Sequence, residues 1–207
     1  VVLYLLTNQE ADQNGYSLTD AQGKVLYERK TGSLLPAAEY RDTFDLAKGV
    51  YRLRMTDTGG DGLEFWYNAK GGFGKARLCD ESGNLLKSFD SDCGSGWEYE
   101  FAIGNHPDPV NQALYDISLY PARTHDLTTL HFFGNRPENI SVHLVSDPGG
   151  NIIEKHIYPS LKEGSFTYSL KKYPAGRFYM KVFSDEKEIF SKRIRYPGPE
   201  MENPIPY

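Results

Sequence analysis

Polar and apolar residues alternate along most of this chain in short runs, each ended by Gly, Asp, Asn or Pro. In Tyr51-Arg52-Leu53-Arg54-Met55, Tyr51, Leu53 and Met55 fall on one face of an extended chain and Arg52 and Arg54 on the other. Such runs predict strands near Val1–Thr7, Gly15–Thr19, Val25–Lys30, Tyr40–Asp45, Gly49–Asp57, Glu64–Asn68, Gly74–Asp80, Leu85–Phe89 and Gly96–Ile103. Further along they predict strands near Asp116–Tyr120, Thr128–Phe133, Ser141–Ser146, Ile152–Tyr158, Ser165–Ser169, Gly176–Ser184 and Glu188–Arg195. The best helix candidate is the short stretch Asp108–Leu114. Many short strands closed by turn residues predict an all-β protein of sandwich type.

The stretch from Gly104 to Asn111 carries Pro107 and Pro109, which block both a helix and a central strand. The expected layout is a jelly-roll-like or CUB-like sandwich over 1–104, a linker over 105–112, a seven-stranded immunoglobulin-like sandwich over 113–196, and a loose, proline-rich tail over 197–207. One local unit recurs three times: Asp20-Ala-Gln-Gly23-Lys-Val-Leu26, Asp80-Glu-Ser-Gly83-Asn-Leu-Leu86 and Asp147-Pro-Gly-Gly150-Asn-Ile-Ile153. Asp caps a turn through its side chain, Gly supplies the positive φ, and an aliphatic pair starts the return strand, so each unit predicts a β-hairpin.

Composition fits this picture. Aromatic residues make up 14% of the 207, with 15 Tyr and 11 Phe, and flat rings favour the pleated surface of a strand. The net charge of −5 falls in the first half, where residues 1–104 hold 11 Lys+Arg against 16 Asp+Glu. Residues 105–207 hold 12 of each. Neither half has the basic stripe that nucleic acid requires, so no nucleic-acid partner is expected. No apolar run approaches the roughly 20 residues of a membrane span. No signal peptide opens the chain, and Val1 reads as a cut through a longer protein, because VVLYLLT is already strand-like. Two cysteines, Cys79 and Cys93, make neither a disulfide framework nor a zinc site; one bridge or two buried thiols both fit.

Two segments carry a family likeness. Tyr173-Pro-Ala-Gly-Arg-Phe-Tyr-Met-Lys-Val-Phe-Ser184, followed by Ile189-Phe-Ser-Lys-Arg-Ile-Arg195, resembles the C-terminal sorting domains of Bacteroidetes type IX secretion. Tyr115-Asp-Ile-Ser-Leu-Tyr-Pro121 is similar to the opening strand of that family, although Ala122-Arg123 stands where the family has Asn-Pro. Phe44-Asp-Leu-Ala-Lys-Gly49-Val-Tyr-Arg-Leu-Arg-Met-Thr-Asp57-Thr-Gly-Gly-Asp61-Gly-Leu63 resembles the GDG-loop segment of accessory β-sandwich domains beside secreted peptidases and glycoamidase-like proteins of the same bacteria. These resemblances imply an exported, periplasmic, cell-surface or secreted protein. They also imply an upstream catalytic domain on the same polypeptide as a partner.

The loop Asp57-Thr58-Gly59-Gly60-Asp61-Gly62-Leu63 is the leading candidate for chemistry. Carboxylates beside carbonyls freed by glycine suit Ca²⁺, which takes six to eight oxygens. Asp57 and Asp61, joined by Asp90 and Asp92 from another turn, are the candidate metal ligands. The competing reading is a tight turn capped by Asp side chains. A third makes Asp57 and Asp61 the carboxylate pair of a glycoside hydrolase. Trp66, Tyr67 and Trp97 are candidate ligand-binding aromatics, for a glycan or a host protein; against this stands core packing. Phe65 and Trp66 must point to opposite faces of a strand. The five histidines form no metal spacing, and His143, between Val142 and Leu144, is expected to face solvent. No nucleophile elbow, P-loop or dinucleotide fingerprint occurs. The expected function is therefore a non-catalytic accessory module, with a Ca²⁺-stabilised structural spacer and an autonomous hydrolase as the alternatives.

Overall fold

The structure, a computed structural model, describes residues 1–65, 69–104 and 114–199. The expected linker, Trp66 and Tyr67, and most of the helix candidate and the tail lie outside the described residues. The protein is all-β: its strands are antiparallel, and among the described residues only two 3-10 turns interrupt them. No helix is long and apolar enough to cross a membrane among those residues. The chain divides into two compact units, Val1–Tyr115 and Asp116–Tyr207.

The first unit contains β1 (Val2–Leu6), β2 (Asn14–Asp20), β3 (Val25–Arg29), β4 (Glu39–Thr43), β5 (Gly49–Asp57), β6 (Lys75–Cys79), β7 (Leu85–Phe89) and β8 (Gly96–Ile103). They form two four-stranded sheets, ordered β4-β1-β6-β7 and β3-β2-β5-β8. Both sheets feed one core: Leu3, Leu5 and Leu78 enter from the first, and Leu18, Leu53 and Met55 from the second. The alternation in β5 decides which face is inside. Tyr51, Leu53 and Met55 are buried, while Arg52 and Arg54 reach water. Arg52 there pairs across the strands with Glu98 and Glu100, each at 3.2 Å. Two of the repeated turn units close hairpins, β2-β3 and β6-β7. In each the Asp carboxylate accepts backbone N–H groups and the Gly sits near φ 80°.

The strand expected over Glu64–Asn68 does not form at its described end. The N–H groups of Leu63 and Glu64 both donate to Ser91 O, at 2.8 and 3.0 Å, so a neighbouring loop holds this segment rather than a ladder.

The second unit adds β9 (Tyr115–Tyr120), β10 (Leu127–Asp147), β11 (Ile152–Ser169), β12 (Gly176–Ser184) and β13 (Lys187–Tyr196). Four separately expected strands are fused here into two long ones. Leu127–Phe133 pairs with Glu163–Ser169, and Ile140–Val145 with Ile152–Tyr158, so one hairpin continues through register shifts between Phe133 and Ile140. Ser160, at φ 51°, marks the break on the partner strand. The two halves of β10 and β11, with β9, β12 and β13, give seven pairing segments, the number an immunoglobulin-like sandwich uses. The buried face carries Leu130, Phe132, Ile140, Val142 and Leu144 from β10, Phe178, Met180 and Val182 from β12, and Ile194 from β13.

Candidate functional site

The alternation that buries Leu53 and Met55 carries Asp57, the last residue of β5, onto the same inward face, where it is 4% exposed. A buried carboxylate needs hydrogen-bond donors. Asp57 has four. Its Oδ1 accepts from Asn14 Nδ2 at 3.0 Å and from Gly59 N at 3.2 Å; its Oδ2 accepts from the N–H groups of Asp61 and Gly62, each at 2.8 Å. Gly62 sits at φ 71°, and a Cβ there would meet Ser91 O at 2.7 Å, so only glycine lets the loop close against its neighbour. Asp57 is thus the centre of a capped turn, with both oxygens engaged by the protein's own backbone and Asn14.

Asp61 faces a different setting. Its Oδ1 is buried and has no donor opposite it, and the same holds for Gln13 Oε1 nearby. A Cβ placed on Gly59 would sit 1.5 Å from that Gln13 oxygen and 3.0 Å from Asp61 Oδ1. Burial, and then the carboxylates of Glu10 and Asp57, push the Asp61 carboxyl up to about 6. Asp90 and Asp92 lie on the loop that packs against this one, through Ser91 O and Ser95 O, but both side chains are exposed. Asp90 Oδ1 accepts from Asp92 N at 3.1 Å, a local turn bond. No group of three or more His, Cys, Asp or Glu residues among the described residues is disposed to hold a metal. Cys79, in β6, and Cys93, beside Gly62, are not joined in a disulfide. Burial raises the Cys93 thiol above its ordinary value, which keeps it protonated and weakly reactive.

Of the aromatic candidates, Trp97 is half-buried against the core, with its indole stacked on Phe89 at 3.7 Å between centroids and 8° between planes. Its Nε1 is buried without an acceptor. Trp66 and Tyr67 lie outside the described residues.

The second unit holds a hollow that sequence reading did not single out. On β11, Glu154, His156 and Tyr158 share one face, and the far half of the same strand brings Phe166 and Tyr168 against them. The hollow they line with Lys172 encloses about 360 Å³. Tyr158 and Tyr168 join hydroxyls at 3.2 Å, and the Tyr158 ring lies 4.0 Å from that of Phe166. Glu154 bonds the Lys172 ammonium. Burial works to raise the Glu154 carboxyl, but Lys172 and Tyr173 outweigh it and hold it below its usual range. Burial, and then the Tyr158 hydroxyl, drive the Tyr168 phenol upward. His156 Nε2 is buried, makes no hydrogen bond, and stands 3.6 Å from Glu154 Oε1. On another face of this unit, His143 points away from Val142 and Leu144 as expected. It is half-buried there, with the Phe183 ring at 4.6 Å, and burial lowers its pKa.

No protein-family model matches the sequence, and no curated protein matches it. Several solved structures are similar in fold. A DUF3244 family protein with an immunoglobulin-like β-sandwich fold, from Bacteroides vulgatus, is 13% identical over 40% of this chain and 94% of its own, with a TM-score of 0.32. Dimeric latent PorU from Porphyromonas gingivalis is 11% identical over 91% of this chain, with a TM-score of 0.45. A β-glucuronidase from Faecalibacterium prausnitzii is 11% identical over 94% of this chain, with a TM-score of 0.33. The chain spans 16% of the length of PorU and 34% of that of the glucuronidase.

Proposed function

We propose that this chain is a non-catalytic accessory and interaction module of a larger exported bacterial protein, working beside a catalytic domain of the same polypeptide. The observation that carries this reading is the fate of the loop residues most suggestive of chemistry. Asp57 is committed to four N–H donors and Trp97 to stacking on Phe89, so both build the sandwich. The resemblance of Tyr173–Arg195 to sorting domains supports export to the cell surface, where a glycan or a protein is the partner such a module meets. The test removes residues 1–207 from the parent protein. Turnover of a small soluble substrate is expected to persist while retention on the cell surface or on polymeric substrate falls. Loss of turnover in a truncated protein that still folds overturns the reading.

A second reading, a Ca²⁺ ion stabilising the Asp57–Leu63 loop, is favoured by the buried, donorless oxygens of Asp61 and Gln13. It centres on Asp61 rather than Asp57. Millimolar Ca²⁺ should then raise the melting temperature, and Asp61→Ala should abolish the rise; an unchanged melting temperature removes the ion.

A further inference from the structure

We infer that the hollow on β11 is a binding site for a neutral saccharide unit, an inference that rests on the accessory-module reading and gives it a place on the surface. Three features of the hollow narrow the ligand. The first is charge. Glu154 and Lys172 satisfy each other at the rim, so the site offers no uncompensated charge to draw in an ion. The second is the mixture of groups. A carboxylate, an ammonium, an imidazole and the hydroxyls of Tyr158 and Tyr168 converge on one space. Donors and acceptors thus stand side by side, which suits a ligand whose own hydroxyls both give and take hydrogen bonds. The third is the aromatic wall. His156 and Tyr158 lie 6.4 Å apart and nearly parallel, and Tyr158 continues onto Phe166, a surface of the kind that packs on the C–H face of a sugar ring.

An open bonding position in the hollow points the same way. The His156 ring is partly exposed, and its Nε2 makes no hydrogen bond, with only the Glu154 carboxylate near it at 3.6 Å, so a ligand hydroxyl finds a nitrogen to bond there. The imidazole suits this task in either tautomer, because a sugar hydroxyl can donate or accept. A volume of about 360 Å³ is at the small end of ligand pockets, which limits the bound portion to about one or two rings. The site is also well supported. Tyr168 is 6% exposed and meets the Tyr158 hydroxyl at 3.2 Å, so the far wall is fixed before any ligand arrives.

The experiment uses the full 207-residue chain, labelled for NMR. It is titrated with the methyl glycosides of glucose, galactose, mannose and N-acetylglucosamine and with the corresponding disaccharides. Saturable shifts are expected from at least one of them. They should be confined to residues 154–158 and 165–172 and include the His156 ring. His156→Ala should weaken that binding about tenfold or more. Glu154→Gln keeps the shape and removes the carboxylate, and it should weaken binding as well; it serves as the check if the histidine variant misfolds. Shifts that map to the first unit, or silence across the panel, overturn the hollow as a saccharide site. Binding that survives both substitutions unchanged does the same. None of these outcomes touches the accessory-module reading, which stands or falls on turnover by the truncated parent.

Discussion

Phe89 and Trp97 lie face to face, 3.7 Å apart at their centroids and 8° from parallel, and they join the two sheets of the first unit, because Phe89 ends β7 and Trp97 opens β8. Tyr99 adds an edge contact to the same phenyl ring at 5.8 Å. A large ring holding two sheets together contributes through buried area and through ring geometry. Trp97→Ala should therefore destabilise the protein by about 3 kcal/mol. Trp97→Phe, which keeps a stacking ring, should cost less than half as much. Urea unfolding followed by near-ultraviolet circular dichroism measures both; equal losses for the two variants would remove stacking as the cause.

A polar clasp joins the same two sheets. Asp42 on β4 takes the Arg29 guanidinium of β3 at 2.8 Å through both of its oxygens, and Tyr16 of β2 bonds the same carboxylate. Asp42 is the better buried partner, with 12% of its side chain exposed against 30% for Arg29. Removing the acid leaves a part-buried guanidinium whose remaining side-chain acceptor is the Tyr16 hydroxyl at 2.9 Å, and the uncompensated charge is the cost. Asp42→Ala is expected to cost about 2 kcal/mol, and Arg29→Met at least as much, because it leaves the better-buried carboxylate without its cation. A double-mutant cycle on thermal unfolding measures the coupling, and simple additivity would contradict it.

Asp61 makes stability depend on pH in a direction opposite to that of a salt-bridged acid. Its carboxyl is raised to about 6 in the folded protein, against about 3.9 in an unfolded chain. Between those values the folded state holds the extra proton, so stability falls as pH rises through this window and is lowest above it. Glu10 and Asp57 are the titratable groups that act on Asp61, and Cys93 and Asp90 lie on the neighbouring loop. Asp61→Asn removes the charge and supplies an N–H for Gln13 Oε1. It should raise the unfolding midpoint at pH 7 and flatten the slope between pH 4 and 6. An unchanged slope would mean that other groups set it.

Some of this was readable before the fold. The alternation Tyr51, Leu53, Met55 needed only one more step to put Asp57 on the inward face, and Asp-Gly turns placed the hairpins within a residue or two. What pairing decides was hidden. Glu10 and Asp61 meet only because a 3-10 turn after β1 lies against the β5 loop. The hollow on β11 escaped notice because Glu154, His156 and Tyr158 look like the alternating outer residues of any edge strand. Their partners Phe166 and Tyr168 come from the same strand after it bends at Ser160, a contact that periodicity does not encode. The fusion of four short strands into β10 and β11 was hidden for a similar reason: turn-like residues at 134–139 and 159–164 bend the ladder without ending it.

The role of Asp57 is the claim on which the rest depends, and one measurement reaches it directly. Chemical unfolding of the wild type and of Asp57→Ala is compared in EDTA and in millimolar Ca²⁺. Four N–H donors lose their acceptor in the variant, and a loss of at least about 3 kcal/mol is predicted, the same in both buffers. A loss seen only with Ca²⁺ present would make Asp57 a metal ligand and contradict its place as the buried cap of the loop.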